Sequence, residues 1–151
     1  MIQRPGVIAM TDASVQRLTE NYERLAPRMA ALTGAFYERL FAAMPAVRPL
    51  FRIDIALQSQ HLAAALALIL RNVRYLDALE EPLTELGVHH AHVGVRPEQY
   101  PPLCRVMIET LRDGSGDAWS PQLEADWTAV LEMVSRIMMA GALAAAVGRG
   151  N

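Results

Sequence analysis

Apolar positions recur along this chain at intervals of three and four, the period of one helix face. Val15, Leu18, Tyr22 and Leu25 mark a first such stretch, with Thr11 or Asp12 placed to cap it. Met29, Leu32, Phe36, Leu40 and Met44 mark a second, which Pro27 suits as a first-turn residue and Pro45 closes. A short helical turn is expected over 46–50 and a corner over 52–56. Residues 57–73 are strongly apolar, with Leu62, Ala65, Leu66, Ile69 and Val73 on one face. After a break near 72–77 come Leu79, Leu83, Leu86 and His90, so a histidine ends a leucine stripe. Gly94 and Pro97 punctuate the exit. Tyr100, Leu103, Cys104, Met107 and Leu111 face inward on the next helix, where Pro101 and Pro102 should cost backbone hydrogen bonds and distort the first turn. A loop is expected over 112–116. A last helix starts near Ser120 and Pro121 and carries Leu123, Trp127, Val130, Leu131, Val134, Ile137 and Met138. No run alternates at the period of a strand and no segment repeats. The pattern predicts an all-α domain of about seven or eight helices with short loops.

Composition narrows the function classes. The chain has 151 residues, 52% of them hydrophobic, which suits one domain with one core. Residues 1–10 lack periodicity and read as a flexible extension, leaving 11–151 as the domain. The net charge is −2 and no basic stripe exists, which argues against nucleic acid as a partner. All 14 basic residues are arginine. A single cysteine, Cys104, cannot form an intramolecular disulfide, which fits a reducing cytoplasm. The start of the chain lacks the apolar core of a signal peptide, and no uninterrupted apolar run is long enough to span a bilayer. The apolar tail over 137–147 reads as the end of a buried helix, so stable membrane insertion is not expected.

Three of the four histidines, His89, His90 and His92, fall within 82–100. His90 alone continues the leucine stripe. A histidine in such a place is commonly a core residue bonded to a backbone carbonyl. The alternative is a metal or haem ligand, because neutral imidazole serves iron well.

Three motifs carry a resemblance that bears on this choice. FYERLFAAMPAVRPLF over 36–51 resembles the second helix and corner of bacterial globins. GVHHAHVGVRPEQY over 87–100 resembles their haem-ligating segment, and EADW over 124–127 the opening of their last helix. The resemblance covers roughly 11–146 and is nearest to single-domain bacterial globins and the globin part of flavohaemoglobins. It implies a globin fold around a haem b pocket, with His90 as the proximal ligand and Tyr100 ten residues further on. It implies that Phe51 stacks on the haem, that Tyr37 is the distal tyrosine, that Leu62 lies over the iron, and that Gln58 holds the distal polar position. Gln60 is the register alternative to Gln58. Trp119 and Trp127 read as packing residues. His92 and Arg96 are candidates near a haem propionate. His61 is expected at the pocket mouth, solvated or near a propionate; its rival role is to bind the iron when no other ligand does.

The same resemblance implies a chemistry. Haem iron held by one histidine leaves a position for O2, NO or CO. Tyr37 and Gln58 can both donate hydrogen bonds to bound O2, which slows its release. Tight retention favours dioxygenation of nitric oxide over simple delivery. O2 carriage, storage or gas sensing is the alternative. The 151 residues contain no flavin- or nicotinamide-binding domain, so turnover is expected to need a separate reductase. Flavohaemoglobins place a glutamate late in the last helix near the proximal histidine; Ala144 stands at that position here. The expected assembly is a monomer or homodimer.

Overall fold

A computed structural model describes residues 10–149, which form α-helices and short 3-10 segments without a strand among them. The flexible extension expected over 1–10 lies outside the described residues except for Met10, which packs against the core. Among the described residues there are six α-helices: α1 (Asp12–Leu25), α2 (Met29–Ala43), α3 (Ile55–Arg71), α4 (Glu80–His92), α5 (Tyr100–Ser115) and α6 (Pro121–Arg149). Five 3-10 segments occupy the connections and stand where the further short helices were expected.

Local chemistry sets the helix starts. Thr11 Oγ1 accepts the Ser14 amide at 3.1 Å and begins α1. Asp54 accepts from Ala56 at 3.1 Å and begins α3, while Ser120 accepts from Leu123 at 3.1 Å and begins α6. Pro27 sits in a 3-10 turn, Ala26–Arg28, that runs directly into α2. Pro101 and Pro102 cause none of the expected loss. They occupy the first turn of α5, where amides have no partner within the helix, so nothing is broken.

The loop expected over 112–116 is mostly helix. α5 continues to Ser115, and only Gly116–Ala118 is a 3-10 link. Packing overrides the local breaker signal: a Cβ placed on Gly114 would come within 2.9 Å of Leu32, so this glycine allows α5 to close on α2.

α1, α5 and α6 share a buried polar junction. Trp127 Nε1 donates to Asn21 Oδ1 at 2.9 Å, and Asn21 Nδ2 donates to Ser115 Oγ at 2.9 Å. Ser115 in turn donates to the Leu111 carbonyl at 2.7 Å. Next to it Arg17 Nε donates to the buried Asp126 at 2.6 Å, and Ser14 donates to the same carboxylate at 2.7 Å. Asp126 and Trp127 therefore pin α1 to α6.

α4 packs chiefly on α6. Gly87 and Gly141 make this possible. A Cβ on Gly87 would lie 2.0 Å from the Met138 carbonyl oxygen, and one on Gly141 would lie 2.8 Å from the Thr84 carbonyl oxygen. Segment 121–148 of α6 is long and apolar enough to cross a membrane by length and composition. Its first half carries Leu123, Trp127, Val130 and Met133 into the core. The tail is not the buried end expected: Gly141 is its last buried residue among those described, and Leu143 and Val147 are 67% and 62% exposed.

Candidate functional site

A largely apolar cavity of about 240 Å³ lies between α2, α3, α4, α5 and α6. The stripe foreseen on α4 forms one wall, since Leu79, Leu83, Leu86 and His90 all line it. The break before α4 is a 3-10 segment, Val73–Leu79, kinked at Tyr75 (φ −134°, ψ 67°). At the far end of α4, Gly94 takes a φ of +109°, a conformation that L side chains rarely adopt. The His90 carbonyl accepts the Val95 amide at 2.9 Å across this turn.

His90 Nδ1 lies 2.8 Å from the Leu86 carbonyl oxygen. A carbonyl only accepts, so Nδ1 carries the proton and Nε2 keeps its lone pair. Burial pushes the His90 pKa down, against a smaller opposing effect of the Leu86 bond, and favours the neutral ring. His89 and His92 are exposed on α4.

α2 supplies the opposite chemistry. Tyr37 is buried and its ring meets Phe36, Phe51 and Phe41 at centroid distances of 5.1, 5.4 and 5.9 Å. Phe41 and Phe51 are themselves 5.2 Å apart, edge to face. Burial raises the Tyr37 pKa, and a hydrogen bond with the Gln58 side chain acts in the other direction. The phenol is therefore protonated at neutral pH and available as a donor.

Tyr37, Phe51, Gln58, Leu62, His90 and Tyr100 all line the cavity. His61, Arg96 and Gln60 do not, and all three are exposed. The Arg96 guanidinium lies 3.4 Å from Glu98, and its backbone amide donates to Gln99 Oε1 at 2.9 Å. Ala144 is exposed on the outer part of α6. Trp127 and Trp119 lie outside the cavity lining.

Sequence reasoning missed a polar pair in the cavity wall. Cys104 Sγ and Ser135 Oγ are 3.2 Å apart, joining α5 to α6, and burial raises the thiol pKa. The apolar spacing puts Cys104 inward, but nothing in it singles out Ser135. Gly87 was missed too; its only signal was a glycine within the apolar face that leads to His90.

The donor set fits haem. Among the described residues no group of three or more His, Cys, Asp or Glu side chains could hold a bare metal ion. A site offering one neutral imidazole suits a group that brings its own four equatorial nitrogens. The apolar walls suit its flat body.

Fold and site thus define an all-α protein with an apolar pocket, one imidazole in its lining and a tyrosine that shares it. Residues 34–138 match the family described as Globin, and the chain belongs to that family of haem-binding proteins. It is 30% identical over 106 residues to a flavohemoprotein of Rhizobium meliloti, covering 68% of this chain and 26% of that protein. A flavohemoprotein of Vibrio cholerae is 28% identical over 112 residues, covering 72% of this chain and 28% of that protein. The chain therefore spans little more than a quarter of the length of these relatives. In three dimensions it is similar to a bacterial globin from Campylobacter jejuni, with a TM-score of 0.77 at 18% identity, over 87% of this chain and 96% of that one.

Proposed function

We propose that this globin holds haem b through His90 Nε2 and acts in the cytoplasm as a nitric oxide dioxygenase, with electrons supplied by a separate reductase. The observation that supports this reading is the meeting of Tyr37 and Gln58 in the apolar cavity that His90 also lines. When bound, haem supplies an iron that can take up O2, NO or CO. His90 presents a lone pair in a fixed tautomer, held by the Leu86 carbonyl. Tyr37 presents a phenol that stays protonated, and the Gln58 amide adds a second donor. Both act in low-dielectric surroundings, where a hydrogen bond to a polarised ligand is strengthened. Phe51 and Leu62 exclude water from the same space. His61 stays outside the cavity, so the reduced protein without external ligand is expected to show an open iron site.

Mixing the O2-loaded protein with nitric oxide in a stopped-flow instrument tests the activity. Rapid conversion of O2 and NO to nitrate supports it; an O2 adduct that survives mixing overturns it. One observation favours O2 carriage or storage as the second reading. The His90 ring is held by a neutral carbonyl, whereas flavohaemoglobins are expected to offer a glutamate where Ala144 stands.

A further inference from the structure

Tyr37 faces two spaces. It lines the central cavity, and it also forms the floor of an outer groove between α2 and α3 that contains Gly34, Phe41, Ser59 and Ala63. No other side chain belongs to both linings. We propose that this groove is the entry route for diatomic ligands and that the Tyr37 ring is its door. The proposal rests on the haem-binding reading above.

Three observations support it. First, Tyr37 is the side chain common to the linings of groove and cavity, and an aromatic ring can swing by rotation about its side-chain bonds without unfolding either helix. Second, the groove is open at Gly34: a Cβ built there meets nothing within 4 Å. Third, the comparable groove between α5 and α6 is better sealed. Tyr100, Cys104, Leu131 and Ser135 all stand between it and the cavity, and the Cys104–Ser135 contact ties the two helices together.

One residue then carries two tasks. The Tyr37 phenol holds a bound ligand and its ring must move for that ligand to pass. Entry and escape are coupled to the seat of the ring beside Gln58, which lines the same cavity and which the ring leaves each time the door opens.

The test uses haem-loaded protein and CO, followed by flash photolysis and by ligand replacement. Gly34→Leu fills the groove without touching the cavity, and replacing a mid-helix glycine does not endanger the fold. Association and dissociation should slow together, by about three- to ten-fold, with the equilibrium affinity unchanged, because an obstructed path acts equally in both directions. Ala63→Leu should act in the same sense. Thr128→Leu, in the α5/α6 groove, should leave both rates as they are. Unchanged rates in Gly34→Leu, slowing in Thr128→Leu instead, or an altered affinity in Gly34→Leu would each overturn the proposal. Failure to load haem would overturn the functional reading beneath it, and is seen separately in the absorption spectrum.

Discussion

His90 Nδ1 and the Leu86 carbonyl oxygen lie 2.8 Å apart, one helical turn from each other on α4. The helix that carries the imidazole thus fixes its tautomer with its own backbone. No second helix has to supply a partner, and the histidine needs only to stand on the face that Leu79, Leu83 and Leu86 have already turned inward.

His90→Ala should abolish or greatly weaken haem retention. His89→Ala and His92→Ala should keep it, because both side chains are exposed. Absorption spectra and haem transfer to a competing apoprotein provide the check, and full loading of His90→Ala with a normal spectrum would sink the assignment.

Acid should also release haem. Burial lowers the His90 pKa in the folded chain, so the unfolded chain binds the extra proton more readily. The stability this neutral ring contributes is complete above the unfolded value of about 6.5 and is lost as pH falls below it. Protonation of Nε2 would remove the lone pair that holds iron. Haem loss should therefore accelerate only once pH falls past the lowered pKa of the buried ring, below the ordinary histidine value of about 6.5, with a weaker acid response in His89→Ala than in any variant that exposes His90.

Tyr37→Phe keeps the ring and removes the donor. Loss of a hydrogen bond to a charged ligand costs about 1.5–3 kcal/mol. O2 dissociation should rise about ten-fold or more, and CO, which carries less charge, should respond less. An O2 off-rate equal to that of the parent would turn attention to Gln58.

Gly87→Ala should be the most damaging small substitution on α4. The added carbon would lie 2.0 Å from the Met138 carbonyl oxygen, and backbone cannot step aside as a side chain can. A cost of about 3 kcal/mol is expected from forced separation of α4 and α6, read by urea unfolding of the apoprotein and by faster haem loss. Gly34→Ala is the control: with open space around the new carbon it should stabilise by about 0.5–1 kcal/mol.

These contrasts show what the sequence made legible. Six residues named from the sequence line one cavity: His90 is written in the spacing of the leucine stripe, and Tyr37, Phe51, Gln58, Leu62 and Tyr100 follow from the resemblance of the flanking motifs to bacterial globins. Features that depend on a distant segment could not be read in this way. Gly87 reads as a weak point in a helix until Met138 is set against it. Gly114 looks like the start of a loop until Leu32 makes it a contact inside α5. The proline pair looked costly because spacing leaves helix starts uncertain by a residue or two; at the first turn it costs nothing. The tail of α6 looked buried because its composition is apolar, and composition does not say where a neighbouring helix stops.

The hydrogen-bonded junction of Trp127, Asn21 and Ser115 has a consequence for how the protein comes into being. It binds α1, α5 and α6 through groups that line no part of the cavity. α3, by contrast, meets the rest of the protein chiefly through α2 and turns Leu62, Ala65, Leu66 and Ile69 toward the cavity. The chain therefore has a permanent half and a conditional half. A newly made molecule can assemble the first without haem and wait, with α3 loosely docked, for the second to be completed. Amide hydrogen exchange in the apoprotein should find the slowest protons around Trp127 and the fastest helical ones in α3, with haem slowing the latter far more than the former.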